Sequence, residues 1–427
     1  MGAGKATTRG EDGAAPCTPP AGVRDARGPS GSGAAHAVAA AFLGWTLDAF
    51  DFFVVVFLVD TLAHAFATSK TAIVATLTAT LALRPLGALV FGLLADRYGR
   101  RVPLMANVIF FSVVELACGF APSYGVFLVL RALYGVGMGG EWGVGASLAM
   151  EHVPHRWRGV ISGVLQSGYS VGYLLAAAAS AVVLPHLGWR AMFWIGGVPA
   201  LLALYIRARV PESEVWRRHR APDVSALLRT LASHWRLFAF LVVLMTFMMF
   251  LSHGTQDLYP DYLKSEHGIA PGAVASIAIA YNVGAILGAI LFGQLSERIG
   301  RRRAVLAALS LVLAAIPAWA FGRSLSALAV GAFVLQMGVQ GAWGVIPAHL
   351  NELSPDAVRG LVPGLAYQTG VLVAAPVNTI QYALRDRVGY AWALAGFEIA
   401  VVLGLALVIT LGGERRGRRF LEGECAS

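Results

Sequence analysis

The 427-residue chain holds only three cysteines, Cys17, Cys118 and Cys425. They are too few and too scattered for a disulfide framework or a zinc cluster. Charge is scarce as well, since Asp, Glu, Lys and Arg make up 13% of the residues. No H-E-x-x-H or phosphate-loop pattern occurs, so the residue sets of a zinc peptidase and a nucleotide-driven pump are missing. The run GVGMGG, 135–140, is a lone glycine stretch within an apolar segment and reads as close helix packing, not as a cofactor loop. Tails of about 35 and 15 residues give no room for an appended sensor domain. The expectation is a protein that is not an enzyme and that uses no cofactor and no metal.

Apolar residues are abundant instead, at 57% of the chain, and the mean hydropathy is +0.66. Such a chain has lipid for most of its solvent. Twelve apolar windows are long enough to cross about 30 Å of hydrocarbon as helices. They lie near 37–60, 71–95, 104–121, 124–149, 159–184, 189–206, 236–263, 271–295, 304–322, 325–350, 360–384 and 390–412. The net charge of +9 is unevenly placed. With both termini inside, inner segments hold 25 of the 33 Lys and Arg and outer loops hold six, while Arg84 and Arg131 lie within spans. This bias obeys the positive-inside rule and implies a multi-pass protein of the inner (plasma) membrane with both termini cytoplasmic. A nucleic-acid surface would need basic residues clustered on one folded face, so no nucleic-acid partner is expected; the surroundings are a lipid bilayer.

At a constant offset of 201 residues, GLLADRYGRR (92–101) meets GQLSERIGRR (293–302), and GGEWGV (139–144) meets QGAWGV (340–345). In the same register Glu151 and Arg158 fall on Glu352 and Arg359. The chain therefore reads as a tail, 1–35, a first six-helix bundle, 36–206, a basic cytoplasmic loop, 207–235, a second six-helix bundle, 236–412, and a tail, 413–427. The first tail is rich in Gly, Ala, Pro and Ser and reads as disordered. Two parallel halves with these loop patterns resemble the major facilitator superfamily. GLLADRYGRR looks like its loop 2–3 signature, and LRALYGVGMGG (130–140) is similar to its fourth-span Arg-Gly motif. The resemblance covers roughly residues 36–412. It implies an all-α fold of twelve transmembrane helices in two pseudo-symmetric bundles, with spans 1, 4, 7 and 10 around a central cavity and alternating access.

Carboxylates and cations of the two repeated loops make a candidate gate. Asp96 with Arg97, Arg100 and Arg101, and Glu297 with Arg298, Arg301 and Arg302, stand where helix ends meet the inner surface. Glu151 with Arg158 and Glu352 with Arg359 are their natural partners. Such groups would set conformational balance rather than substrate choice.

Within the membrane, Asp48 and Asp51 sit on one face of span 1. Each costs about 2.5–3.5 kcal/mol to insert, so the pair costs about 5–7 kcal/mol, roughly what the Leu, Val and Phe residues of that span return. Buried intramembrane carboxylates turn toward partners or a wet cavity. Arg84, before Pro85, and Arg131 are candidate cations; Glu115, Glu141 and Glu398 are further acids. For Arg84 and Glu115 mutual neutralisation inside the bundle competes with function, and for Glu398 it is the preferred reading.

Span 7 ends with FLSHGTQDLYPDYL, 250–263, which places Ser252, His253, Thr255, Gln256 and Asp257 after a run that is apolar but for Thr246 back to Leu237. His253, Gln256 and Asp257 share a face at i, i+3 and i+4, and Pro260 is able to unwind the outer end. The segment resembles the signature N-x-x-S-H-x-[ST]-Q-D-x-x-x-T of lactate and pyruvate proton symporters in the sialate:proton symporter group. It departs at Met249 and Asp261, where the pattern has Asn and Thr. The resemblance implies a proton-coupled symporter importing a small organic acid anion, first of all a monocarboxylate such as lactate or pyruvate. Sialic acid, an aromatic acid or a dicarboxylate are alternatives, and a drug-efflux antiporter is a more distant one. Arg131 would meet the substrate carboxylate, with Arg84 as a second cation, and His253, Thr255 and Gln256 would complete the site. Asp257, Asp48, Asp51 or Glu141 would carry the proton, and one chain would suffice as the working unit.

Overall fold

A computed structural model describes residues 31–219 and 223–420. The first half runs through α1 (Gly31–Phe57), α2 (Val59–Ala65), α3 (Lys70–Tyr98), α4 (Arg101–Cys118), α5 (Tyr124–His152), α6 (Arg158–Ile195) and α7 (Ala200–Arg209). The connecting segment carries α8 (Glu214–His219) and α9 (Val224–Ser233). The second half comprises α10 (Trp235–Gln256), α11 (Tyr259–Ser265), α12 (Pro271–Ile299), α13 (Arg301–Phe321), α14 (Leu325–Leu353), α15 (Val362–Ala374), α16 (Val377–Val388) and α17 (Tyr390–Leu411). No strand occurs among the described residues.

Nine helical segments among the described residues are long and apolar enough to cross a membrane. The fourth, sixth and eleventh spans fall outside that set for local reasons. Helix α5 carries Arg131, Glu141 and Glu151 along its length. The sixth span is divided, because Gly188 (φ 73°) turns the chain inside α6 and residues 196–199 separate α6 from α7. The eleventh is split between α15 and α16. Together these give the expected twelve-helix, two-bundle fold. Burial agrees with a lipid surround, since Leu187, Leu204, Leu403 and Leu411 are all more than half exposed while ionisable groups lie inside.

The repeat is visible in how helices begin. Ser123 and Ser324, 201 residues apart, accept hydrogen bonds from the N–H groups of Val126 (3.5 Å) and Ala327 (3.2 Å) and cap α5 and α14. Gly99 (φ 106°) and Gly300 (φ 100°) occupy the left-handed region between paired helices, where a side chain would be strained. Just beyond them, a carboxylate caps the following helix in each half. Glu212 accepts from the Arg100 N–H (2.7 Å), and Glu414 accepts from the Arg301 and Arg302 N–H groups (3.2 and 2.9 Å).

The expected disordered tail, 1–35, falls mainly on residues 1–30, outside the described residues, while 31–35 already belong to α1. Of the tail 413–427, residues 413–420 pack against the face bearing both repeated loops, called here the motif face, and 421–427 lie outside the described residues.

Candidate functional site

Polar groups of the first half gather around Arg131. Its Nη1 donates to Glu115 Oε2 at 2.7 Å, and its guanidinium lies 4.2 Å from the centre of the Tyr134 ring. The Tyr134 hydroxyl in turn donates to the Asp48 carboxylate (3.0 Å) and to the Asp48 carbonyl (2.7 Å). Asp51 abuts the same cluster: a Cβ built on Gly196 would touch both Asp51 and Glu115. Asp48, Asp51, Glu115 and Arg131 have no solvent exposure. Three carboxyls thus surround one guanidinium in a dry site, and both Asp51 oxygens lack a hydrogen-bond partner among the described residues. Arg131, expected to meet a substrate, is occupied by its own half.

Glu141 is also fully buried, with both oxygens unpartnered among the described residues. A void of about 10 Å³, barely room for one water, lies beside it between Trp45, Trp142 and Pro347.

Arg84 is placed differently. It stands on α3 immediately before Pro85, is 4% exposed, and leaves Nε and Nη2 without partners among the described residues. Its guanidinium faces Tyr367 of the second half at 5.6 Å from the ring centre. Asp48 of the first half and His253 of the second are both among its electrostatic neighbours. Around Tyr367 is an aromatic box, in which Trp142 stacks at 4.5 Å and Trp343, its counterpart in the repeat, meets the ring edge-on at 5.6 Å. Trp45 closes a third side at 6.3 Å.

In the second half, α10 ends at Gln256, and Pro260 lies in the first turn of α11, where its missing N–H costs nothing. The break holds the polar segment in place. Asp257 stands 3.2 Å from His253 Nδ1 and accepts from the Asn378 amide at 3.0 Å. The Gln256 amide donates to Gln336 Oε1 (2.9 Å), and Gln336 donates to the Thr255 hydroxyl (3.0 Å). About a third of each side chain remains exposed for His253 and Asp257 (31% and 33%). Gly254 turns toward α17, where a Cβ would come within 3.0 Å of Glu398 Oε2. Glu398 is fully buried behind this turn, without a partner among the described residues, so it neutralises no other charge seen here.

At the motif face the two loops form ion-pair clusters that cross between halves. Arg100 binds Asp96 (2.5 Å) and Glu151 (3.0 Å); Arg301 binds Glu297 (3.0 Å) and Glu352 (2.9 Å). Asp96 reaches over to accept from the N–H groups of Gly360 (2.8 Å) and Leu361 (2.9 Å) at the start of α15, and Glu297 accepts from the Gly159 N–H. Arg359 lies 3.6 Å from Glu151 of the other half, instead of pairing with Glu352. Arg158 does not pair with Glu151 either; it donates to the Met150 and Arg418 carbonyls (3.1 and 2.6 Å). Arg101 donates to the Arg207 carbonyl and Arg302 to the Thr410 carbonyl. Arg97 lies over Tyr98, and Arg298 joins through its backbone, accepting from Arg416 at 2.8 Å. The motif face is thus closed, whereas His253 and Asp257 remain partly open.

The same architecture occurs in a solved proton:xylose symporter, XylE, which superimposes with a TM-score of 0.74 at 20% identity, covering 91% of this chain and 98% of that one. The family model "Major Facilitator Superfamily" matches residues 41–256, and "Sugar (and other) transporter" matches 238–412. The chain belongs to the major facilitator superfamily. Its relatives within that superfamily of membrane transporters include a probable 4-methylmuconolactone transporter of Cupriavidus pinatubonensis, 31% identical over 88% of this chain and 90% of the relative. The sialic acid transporter NanX of Escherichia coli is 29% identical over 90% of this chain and 95% of its own. A carboxylic acid transporter protein homolog of Saccharomyces cerevisiae is 31% identical over 81% of this chain, which spans 60% of that longer protein.

Sequence reasoning missed Glu212, Glu414, Gln336, Asn378 and Tyr367. The carboxylates Glu212 and Glu414 lie 202 residues apart, one step off the repeat, and that near-coincidence was the available signal. Gln336, Asn378 and Tyr367 carry no local signal, because only the packing of α14, α15 and α16 on α10 and α3 gives them partners.

Proposed function

We propose that the protein is a proton-coupled symporter of small organic acid anions in the inner (plasma) membrane, working as a single chain by alternating access with the motif face cytoplasmic. The observation that carries this reading is Arg84, a buried guanidinium with free nitrogens where the two halves meet. It takes over the anchoring role first expected of Arg131, since its fork fits a carboxylate in a dry setting and its Nε and Nη2 have no partner among the described residues. Gln256 and Thr255, tied through Gln336, are placed to sense a hydroxyl or keto oxygen. Asp257 is the proton carrier best exposed to the outer side. Asp48, Asp51 and Glu141 form an inner reserve, because Asp48 and Asp51 share one guanidinium with Glu115 and Glu141 has no partner among the described residues, so these dry carboxyls cannot all be ionised. An arriving anion favours a proton nearby, and the proton favours the anion, so the two bind cooperatively and cross without net charge.

The polar turn 252–257 supports lactate or pyruvate as substrate. The aromatic box around Tyr367 supports a second reading, a larger planar or cyclic acid that stacks against Trp142 and Trp343; the names of the relatives, which concern sialic acid, a lactone and carboxylic acids, accord with that breadth. Uptake of labelled lactate, pyruvate, benzoate and sialic acid into proteoliposomes under an inward proton gradient tests both. Uptake of one of these acids that rises with outside acidity and collapses with a protonophore is the expected result. Uptake indifferent to the gradient for every acid would overturn the coupling.

A further inference from the structure

We propose that the C-terminal segment, residues 413–420, is a strap that holds the motif face shut, with Phe420 as the group that joins the two halves; this rests on the alternating-access reading above. Phe420 is 2% exposed. Its ring is sandwiched by two guanidiniums, Arg158 at 3.5 Å and Arg359 at 3.7 Å from the ring centre. These arginines are repeat-related, and they belong to opposite halves. The ring also packs with Met150 and Leu165 of the first half and Ala348 of the second.

The strap is anchored to the second half at several points. Glu414 caps α13 through the Arg301 and Arg302 N–H groups, Arg416 donates to the Arg298 carbonyl (2.8 Å), and Arg418 donates to the Ser354 carbonyl (2.9 Å) and pairs with Asp356 (3.2 Å). Toward the first half it presents the Phe420 ring and the Arg418 carbonyl, which accepts from Arg158 at 2.6 Å. A segment fastened to one half and reaching the other through its end, at Arg418 and Phe420, behaves as a bolt. When the motif face opens, Arg158 and Arg359 separate, and one ring cannot stay between them. The cation–π contact and the burial of the ring are lost in the open state alone, so the strap biases the equilibrium toward the closed motif face. A desolvated cation–π contact corresponds to a factor on the order of ten in that equilibrium.

The test places a reporter just inside the closed face. Ala146→Cys, on α5 beside the void near Glu141, is combined with Cys17→Ser and Cys425→Ser in the full chain, leaving buried Cys118 in place. Labelling by a membrane-impermeant maleimide is followed from the motif side of inside-out vesicles. Phe420→Ala is expected to raise the labelling rate on the order of tenfold, Phe420→Leu somewhat less, and Phe420→Trp is expected to match the parent. Truncation after Gly413 should reproduce Phe420→Ala. Equal labelling rates in the parent, Phe420→Ala and the truncated chain would overturn the strap, and so would a Phe420→Trp rate as high as that of Phe420→Ala. The labelling comparison needs no substrate, so a parent that fails to take up any organic acid sinks the function proposed above and leaves this result readable.

Discussion

The two halves share a fold and a repeat but handle polarity in opposite ways. In the first half, Asp48, Asp51, Glu115 and Arg131 are wholly buried together on α1, α4 and α5, with Arg131 paired to Glu115. In the second, the polar groups at the end of α10 are amides, a hydroxyl, an imidazole and one carboxylate, hydrogen-bonded to α14 and α16, and His253 and Asp257 stay partly open. The difference teaches a division of labour. Charge is stored where water is excluded, and under the proposed function recognition is placed where the chain is broken and groups are able to re-pair. Arg84 stands between the two.

The contrast can be broken most forcefully in the dry half. Arg131→Met leaves the Glu115 carboxyl without its cation, and should lower stability by about 3–5 kcal/mol, read as a fall in the thermal unfolding midpoint of the purified protein in detergent. A companion Glu115→Gln exchange should recover much of that loss; a failure to recover would argue against the pair. Arg84→Ala should reduce organic acid uptake by about a hundredfold, the worth of a charge-assisted bidentate contact, with little change in the unfolding midpoint. If it costs stability and not uptake, Arg84 belongs with the stored charges. Asp257→Asn should flatten the rise of uptake with outside acidity while binding of substrate at low pH persists; a pH profile as steep as the parent's would move proton carriage to the first half. At the motif face, Asp96→Asn should favour opening more than Glu297→Gln does, because Asp96 accepts two N–H groups of the opposite half and Glu297 accepts one. Maleimide labelling at Ala146→Cys ranks the two. The smallest effect is expected of Ser123→Ala and Ser324→Ala, each removing a helix cap worth about 1 kcal/mol; equal losses would show that the repeat extends to energetics.

Much of the architecture was legible because a membrane span advertises itself by length and apolarity, and because the offset of 201 residues ties one half to the other. The gate was legible in part. Asp96, Arg100, Glu297 and Arg301 are read from the repeated loops, and the structure brings them together. Their partners were harder to read. Glu151 and Arg158 invite pairing by nearness in sequence, yet Glu151 binds Arg359 from the other half, since the packing of the two bundles sets the α5 end against the loop before α15. Arg131 illustrates the same limit. Its position on the fourth span pointed to the cavity, whereas its side chain turns to Glu115 because two opposite charges in a dry bundle stabilise each other more than either could separately.

By itself the sequence determined the number of spans, the halving of the chain, the basic side and the presence of ionisable groups in hydrocarbon, all consequences of local hydropathy and of a repeat that needs no folding to be seen. Tertiary structure alone decided which charges neutralise one another, which guanidinium keeps two unpartnered nitrogens at the seam among the described residues, and that Phe420 comes to lie between two arginines 201 residues apart. The physical reason is that solvation is a local property of a side chain, while pairing depends on distances that only the packed bundles set.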